Sequence, residues 1–192
     1  MILVMRSDGE ATRARILSAA SREFAQHGMA GARVDRIASA ASASKERLYS
    51  YFGDKRTLFV AVLDAHMNEV METMAPDAED LPAFVGRIFD FAQEHPEHFR
   101  MMDWARLGGD FDLVPAVPAS IRERDSAAIT EAQARGIIDR DWDATELFTL
   151  LFTLATTSVR LVGVNDAADA APEVVARHRA AAVRAARKLI AP

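Results

Sequence analysis

Polar and basic residues are concentrated between positions 44 and 55. The donors suited to DNA bases and phosphates are Lys45, Arg47, Tyr49, Ser50, Tyr51 and Lys55. Lysine, arginine and serine can hydrogen-bond the edges of bases in the major groove, and tyrosine hydroxyls can donate to phosphate oxygens. Together these residue types indicate recognition of a nucleic acid, although lysine and arginine taken singly are more often ordinary surface residues.

Two short helices are predicted to position these side chains. Apolar residues recur at helical spacing from Val34 to Ala41 and predict one short amphipathic helix. Ser44 can cap the next helix, Lys45 to about Phe52, which places Leu48 and Phe52 inward. Two short helices joined by a turn of three or four residues are the geometry of a helix-turn-helix, in which the second helix is the reader.

Longer helices flank this pair. The first begins near Thr12, carries apolar residues on one face and ends at Gly28, where glycine suits a left-handed C-terminal cap. Asp54 caps a helix that continues to about Met74. Helix N-termini attract phosphates, so Arg33 and Lys55, each beside such an N-terminus, are candidate contacts to the DNA backbone.

The remainder of the chain is also predicted to be helical. Behind a short acidic linker, helices are expected over about Pro82–Gln93, Glu97–Leu107, Pro118–Ala134, Ala144–Val162 and Pro172–Ile190. We find no convincing stretch of the alternating pattern that marks strands. The predicted fold class is all-α, with an N-terminal three-helix helix-turn-helix domain over residues 1–55, a C-terminal helical bundle over residues 56–192, and about nine helices.

Composition bounds the chemistry further. Residues 1–60 hold ten Lys or Arg against six Asp or Glu, whereas the rest holds thirteen against twenty-two, so a basic front module precedes an acidic one. The absence of cysteine excludes disulfides and thiolate chemistry and suits a reducing cytoplasm. The longest apolar run, Leu147–Val164, is interrupted by four threonines, Ser158 and Arg160, which argues against a membrane span. We expect a cytoplasmic protein that does not contact a membrane.

The stretch from Arg13 to Leu58 resembles the DNA-binding region of the TetR family of bacterial transcriptional regulators. The markers are Ile16-Leu17, Phe24, Gly28, Val34-Asp35-Arg36-Ile37-Ala38 and Leu48-Tyr49-Ser50-Tyr51-Phe52-Gly53-Asp54-Lys55. The resemblance implies that the third helix enters the major groove, that residues 45–47 reach bases, and that the two tyrosines and Lys55 touch phosphates. The expected DNA-binding residues are Arg33, Ser44, Lys45, Glu46, Arg47, Tyr49, Ser50, Tyr51 and Lys55.

Two positions depart from the family's usual pattern. The turn reads Ala41-Ser42-Ala43-Ser44 where the family usually has Ala-Gly-Val-Ser. Serine lacks glycine's freedom at positive φ, so a somewhat strained turn is expected. Arg33 replaces the usual threonine before the second helix and cannot cap it as a hydroxyl would.

The resemblance also implies that the C-terminal domain dimerises and encloses a small-molecule pocket. The last two long helices carry the expected homodimer residues, Leu147, Leu151, Leu154, Ala155, Ser158, Arg160, Val183 and Arg184. The alternative, that these faces fill only the protomer's own core, stays open. An unidentified, partly apolar effector is expected to contact Phe89, Met102, Trp104, Phe111, Phe148 and Phe152, although large apolar side chains on helices more often pack against other helices.

The function that these expectations favour is a repressor released from a palindromic operator by a small-molecule effector. The sequence leaves repression against activation open. The rival readings are a helical ligand-binding module or enzyme that has lost DNA binding, and a non-specific DNA binder. His95 and His98 lie three residues apart, but Pro96 places His95 off the regular helix face and no third ligand is spaced to complete a site. We expect no metal and no cofactor, and no catalytic motif is visible.

Overall fold

The computed structural model describes residues 2–161 and 171–192. Within them the regular structure is entirely helical, which confirms the all-α prediction. These described residues form nine α-helices and one 3-10 turn, Phe111–Leu113. The helices are α1 Ile2–Gly31, α2 Val34–Ala40, α3 Lys45–Phe52, α4 Lys55–Thr73, α5 Leu81–Glu94, α6 Pro96–Gly108, α7 Ala119–Ala134, α8 Ala144–Leu161 and α9 Pro172–Leu189.

The chain forms two compact units. The first comprises Met1–Asn68 and Glu97–Ala116, and the second comprises Glu69–Pro96 and Val117–Pro192. These bounds differ from a division at residue 55 because α4 continues the first unit and because Met101 and Ala105 of α6 are buried in its core. The assignment of functions to residues 1–55 and 56–192 stays a prediction.

Aromatic and aliphatic side chains from five helices, α1 to α4 and α6, build the core of the first unit. The rings of Phe24 and Phe59 meet edge to face, with centroids 5.0 Å apart and an angle of 87° between their planes, a favourable aromatic geometry. Ile37 from α2 and Leu48 from α3 are fully buried in the same cluster. The inward faces expected from helical spacing are therefore the faces that pack.

Helix α1 is longer than expected and contains a break. It begins at Ile2 rather than near Thr12, and Gly28 interrupts it with φ 65° and ψ 176° before a last turn to Gly31. The indole of Trp104 lies against the break, so that a Cβ added at Gly28 would stand 2.9 Å from Trp104 Cε3. Trp104 Nε1 also donates to the carbonyl of Ala25 at 3.0 Å, which satisfies a carbonyl near the helix end.

The second unit is a helical bundle in which α5 packs against α8 and α9, and α7 against α8. Arg179 of α9 donates to both carboxylate oxygens of Asp90 on α5, at 2.7 and 2.9 Å. The pKa of Arg179 is raised, first by this hydrogen bond and then by the charge of Asp90, against the opposing effect of burial. Its guanidinium passes over Gly86, where a Cβ would lie 2.7 Å from Nη2, so a side chain at this position would displace the guanidinium.

No helix in the described part of the chain is long and apolar enough to cross a lipid bilayer.

Candidate nucleic-acid interface

The turn between α2 and α3 is closed by backbone hydrogen bonds. The Ala43 N–H donates to the Ala38 carbonyl at 2.9 Å and the Ser42 N–H to the Ser39 carbonyl at 3.1 Å, which is the Schellman arrangement at a helix C-terminus. Ser42 occupies the left-handed position of this motif, with φ 51°. The strained turn expected from the missing glycine is therefore present, and serine adopts the conformation that glycine would adopt at lower cost.

Ser44 fixes the start of α3. Its hydroxyl accepts the Arg47 N–H at 3.1 Å, which confirms the predicted cap. The neighbouring Glu46 side chain is exposed, and its pKa is lowered by a hydrogen bond from its own backbone N–H, then by the Ser44 hydroxyl and the charge of Lys45. An ionised carboxylate near the N-terminus of a helix interacts favourably with the helix dipole. Glu46 therefore stabilises the start of α3 together with the Ser44 cap.

The exposed side of α3 carries most of the predicted DNA-binding residues. Leu48 and Phe52 are buried as expected. The structure brings together at the surface Lys45, Glu46, Arg47, Tyr49 and Ser50. Tyr51 is only half-buried, and its hydroxyl would lie 3.4 Å from a Cβ at Gly9, which places the phenol close to α1.

Several basic side chains near α3 are engaged within the protein. Lys45 forms an ion pair with Asp35 of α2. Lys55 is half-buried, and its Nζ donates to the Ala32 carbonyl at 3.2 Å. In the described part of the chain the Arg47 guanidinium has no acidic partner within salt-bridge distance. Arg47 is thus the basic side chain on α3 that is available for an external ligand.

Glu23 of α1 supplies the start of α2 with the partner that Arg33 cannot provide. Arg33 makes no side-chain cap, but its backbone N–H donates to Glu23 Oε1 at 2.8 Å. The guanidinium of Arg36 binds the same oxygen at 2.6 Å through Nη2 and 2.8 Å through Nε. Sequence reasoning missed Glu23, because the contact joins residues ten and thirteen apart, which no helical spacing connects.

The pKa of Glu23 reflects this environment. Burial alone would raise the pKa, but the hydrogen bond from Arg36, the N–H of Arg33 and the charges of Arg36 and His27 together lower it below its ordinary value of 4.5. The carboxylate is therefore ionised at neutral pH. A fixed negative charge already occupies the start of α2, which makes that N-terminus a poorer phosphate site than the sequence alone suggests.

Asp54 caps α4 as predicted. Its Oδ1 accepts the Thr57 N–H at 2.7 Å, and the pKa of Asp54 is lowered first by this hydrogen bond. The cap anchors the helix that begins at Lys55. The side chain of Lys55 lies beside the end of α1, where its Nζ donates to the Ala32 carbonyl.

The residues expected to bind an effector are divided between the two units. Met102, Trp104 and Phe111 belong to the first unit, whereas the second unit holds Phe89, Phe148 and Phe152. The Trp104 indole packs against Gly28 and donates to the Ala25 carbonyl. The Phe111 ring is half-exposed, with the guanidinium of Arg106 over it. Phe89 is only 1% exposed, so it belongs to the core and offers a ligand no surface in this conformation.

Phe148 and Phe152 are the expected effector residues that remain half-buried in the second unit. The Phe148 ring lies 5.6 Å from Phe84 and 6.4 Å from Phe152, measured between centroids. A separate open depression of about 470 Å³ is lined by Thr130, Gln133, Ala134 and Arg140, none of which was expected to bind a ligand.

The expected homodimer residues on α8 need correction. Leu147, Leu151 and Ala155 are each fully buried within the second unit, because this row faces the protomer's own core. The alternative left open by the sequence is therefore right for these three. Leu154 and Val183 are half-buried and Arg184 is exposed, while the side chains of Ser158 and Arg160 lie outside the described part.

Comparison with known proteins matches both parts of the chain to one family. Residues 16–62 fit the family described as bacterial regulatory proteins, tetR family. Residues 80–188 fit the family described as tetracyclin repressor-like, C-terminal domain.

Individual proteins agree with this match. The HTH-type transcriptional repressor SCO4008 of Streptomyces coelicolor is 37% identical over 156 residues, which cover 79% of this chain and 80% of that protein. The crystal structure of the putative transcriptional regulator SCO4942 from Streptomyces coelicolor superposes with a TM-score of 0.80 at 35% identity, covering 93% of this chain and 98% of that one. FadR from Bacillus subtilis, in complex with stearoyl-CoA, shares the fold with a TM-score of 0.67 at 17% identity, covering 90% and 96%. From its helix-turn-helix, its helical second unit and these relatives, the chain belongs to the TetR family of bacterial transcriptional regulators.

Proposed function

We propose that this regulator is a repressor that binds a palindromic operator as a homodimer, each protomer placing α3 in a major groove. The observation that carries the proposal is α3 itself: Leu48 and Phe52 hold it to the core, Ser44 caps it, and Arg47 remains on its exposed side. An arginine in this position can donate two hydrogen bonds to a guanine. The two reading helices would then lie about 34–36 Å apart, or a multiple of that distance.

The outer row of α8 supports the dimer. Thr145, Thr149, Leu150 and Thr153 are exposed, in contrast to the buried row that includes Leu147. The hydroxyls along this row bond back to the helix: Thr149 to the Thr145 carbonyl and Thr153 to the Thr149 carbonyl, both at 2.8 Å. Because the hydroxyls of Thr149 and Thr153 donate within the helix, these residues present their methyl groups beside Leu150, which suits close helix packing against a second copy.

The dimer surface can be tested by a charge substitution on this row. Leu150→Asp should convert the wild-type dimer to a monomer, since dimerisation would bury an unpaired carboxylate. The matched control is Leu107→Asp, at a leucine that is 82% exposed in the first unit. The measurement is molar mass by light scattering after size exclusion. A wild-type monomer, or a Leu150→Asp dimer as stable as the control, would refute this surface.

We further propose that the effector is partly apolar and contacts Phe148 and Phe152. The support is that both rings are half-buried rather than sealed, next to Phe84. Such a ligand releases the operator only by the difference between its affinities for the two conformations. An effector that acts this way must weaken DNA binding in the wild type and act less strongly on a Phe152→Ala variant.

DNA binding is tested by fluorescence anisotropy with the duplex upstream of the chain's own gene and with random duplex. Specific binding should be tighter by about 10³-fold or more. Arg47→Ala should relax base preference, and Lys55→Ala should weaken binding to all sequences. Arg135→Ala, an exposed arginine of the second unit, is the matched control and should bind like the wild type.

Two results would contradict the proposal. Affinity for the upstream duplex no greater than for random duplex would favour a non-specific binder. Absent or salt-insensitive binding would favour a helical ligand-binding module or an enzyme that has lost DNA binding, because phosphate contacts make genuine DNA binding salt-dependent.

A further inference from the structure

Arg13 of α1 lies beside the end of α3. Its guanidinium carbon stands over the Phe52 ring, 5.2 Å from the ring centroid, and Phe52 is the last residue of α3. The Phe52 side chain is buried, whereas Arg13 is exposed. Arg13 is not among the DNA-binding residues expected from the sequence, because helical spacing does not reveal a contact between α1 and α3.

A second contact places the same face of α1 along the end of α3. Gly9 and Arg13 are four residues apart in α1 and therefore share a face of that helix. The Tyr51 hydroxyl would lie 3.4 Å from a Cβ at Gly9. One face of α1 thus meets the last two residues of α3. The Arg13 guanidinium and the phenol of Tyr51, which the family resemblance assigns to a DNA phosphate, consequently lie at the same end of α3.

The Arg13 guanidinium retains its hydrogen-bond donors for an external ligand. A ring face attracts the positive charge of a guanidinium without replacing the acceptors that its five N–H groups can bind. Among the described residues, no hydrogen bond or ion pair engages the Arg13 side chain. By contrast, Lys45 is paired with Asp35, and Lys55 donates to the Ala32 carbonyl. Arg13 is therefore a cation that packs against the end of α3 with its donors unused.

The end of α3 beside Arg13 does not attract a phosphate by itself. The C-terminus of a helix carries a partial negative charge, which repels an anion and attracts a cation. A helix of eight residues such as α3 is about 12 Å long, similar to the major-groove width of about 12 Å. When α3 enters the groove, at least one of its ends therefore comes close to a sugar-phosphate backbone. A phosphate at the C-terminal end requires a cation from outside α3, and Arg13 supplies one.

We propose that Arg13 is a DNA-binding residue that holds a phosphate of the operator backbone at the C-terminal end of α3. The Phe52 ring positions the guanidinium, which can donate two parallel hydrogen bonds to the phosphate oxygens. This inference rests on the proposed DNA-binding function. Because every sequence presents the same phosphates, the contact raises affinity for all duplexes alike and adds no base preference.

The test compares Arg13→Gln with the wild type by fluorescence anisotropy on two duplexes: one selected by the wild-type chain from a random library, and one unselected. Glutamine removes the charge but keeps a planar group that can lie on the Phe52 ring. The salt slope should become shallower by about one unit on both duplexes. At about 0.1 M salt, affinity for both duplexes should fall about fivefold to tenfold, so that the ratio between them stays that of the wild type.

Two further variants separate a positioned phosphate contact from a general change of charge. Arg22 is an exposed arginine of the same helix, about 14 Å further along its axis, and donates to the Ser18 hydroxyl. The matched control Arg22→Gln makes the same change of charge and should bind both duplexes like the wild type. Arg13→Lys keeps the charge but loses the paired donors, so it should retain the salt slope and bind both duplexes about twofold to fivefold more weakly. Thermal unfolding of each variant verifies that the fold is intact.

The results distinguish this inference from the proposed function. A wild-type chain that binds no duplex overturns both. If the wild type binds the two duplexes equally, the operator function is contradicted, and a shallower slope for Arg13→Gln would still support the phosphate contact. If the wild type discriminates but Arg13→Gln keeps the full slope and affinity, the function stands and the role of Arg13 is wrong. An Arg22→Gln variant that loses as much affinity as Arg13→Gln would show an effect of net charge alone and would likewise overturn the inference.

Discussion

Replacing Glu23 with glutamine tests whether a carboxylate from α1 holds the start of α2. The side chain is 10% exposed and accepts hydrogen bonds from the Arg33 N–H and the Arg36 guanidinium. Hydrogen bonds to a charged group contribute about 1.5–3 kcal/mol each, and neutral ones about 1 kcal/mol. Glutamine keeps one neutral acceptor, so Glu23→Gln should lower the free energy of unfolding by about 1–3 kcal/mol at pH 7.

The pH dependence of this effect has a definite sign. The pKa of Glu23 is lowered in the folded protein. Its contribution is therefore fully present above the ordinary carboxyl pKa and is lost as pH falls through the lowered folded value. Wild type and Glu23→Gln should differ most near neutrality and converge in acid, because the protonated carboxyl no longer makes the charged interaction.

The assay is thermal unfolding followed by circular dichroism from neutral to acid pH. For a chain of this size the loss at pH 7 corresponds to roughly 2–12 °C in Tm. Glu10→Gln makes the same chemical change at an exposed position on the same helix and should leave Tm unchanged. A Glu23→Gln variant with the wild-type Tm, or with an undiminished difference in acid, would refute the assignment of Glu23 as the partner of α2.

Two further substitutions probe backbone positions where the conformation is unusual. Ser42→Gly should raise Tm by roughly 1–4 °C, because φ 51° costs serine about 1 kcal/mol that glycine does not incur. The control Ser39→Gly, inside α2, should instead lower Tm. A Ser42→Gly protein less stable than the wild type would contradict this explanation. Gly28→Ala should lower stability by about 1–3 kcal/mol, since φ 65° disfavours alanine and its Cβ would press on the Trp104 indole. In a Trp142→Phe background the emission of Trp104 should shift as well, and an unchanged spectrum with unchanged Tm would show that the contact does not constrain α1.

The sequence by itself determined the elements whose information is local. Helical spacing predicted α2 and α3 and the burial of Leu48 and Phe52, because side chains at i and i+4 share a face whatever the rest of the chain does. Capping by Ser44 and Asp54 was also predictable, since both hydrogen bonds close within three residues. The strain at Ser42 was expected from the family resemblance, because the family usually has glycine at this position of the turn.

Only the tertiary structure showed which of the side chains expected to bind phosphate or an effector already have partners within the protein. Glu23 reaches Arg33, Lys55 reaches Ala32, and Trp104 reaches Ala25, across 10, 23 and 79 residues of sequence. Helical periodicity does not reveal such partners, so the hydrogen bonds that Lys55 and Trp104 make within the first unit could not be predicted from it.

The same limit explains the revision of α8. Its leucines and threonines form two neighbouring rows that are both compatible with packing, and the amino-acid pattern does not tell which row faces the protomer's core. Only the positions of the helices packed against α8, which are α5, α7 and α9, bury Leu147 and Leu151 and leave Thr149 and Leu150 outside. Local pattern determines which segments are helices, whereas the placement of distant helices determines which of their faces remain free to bind.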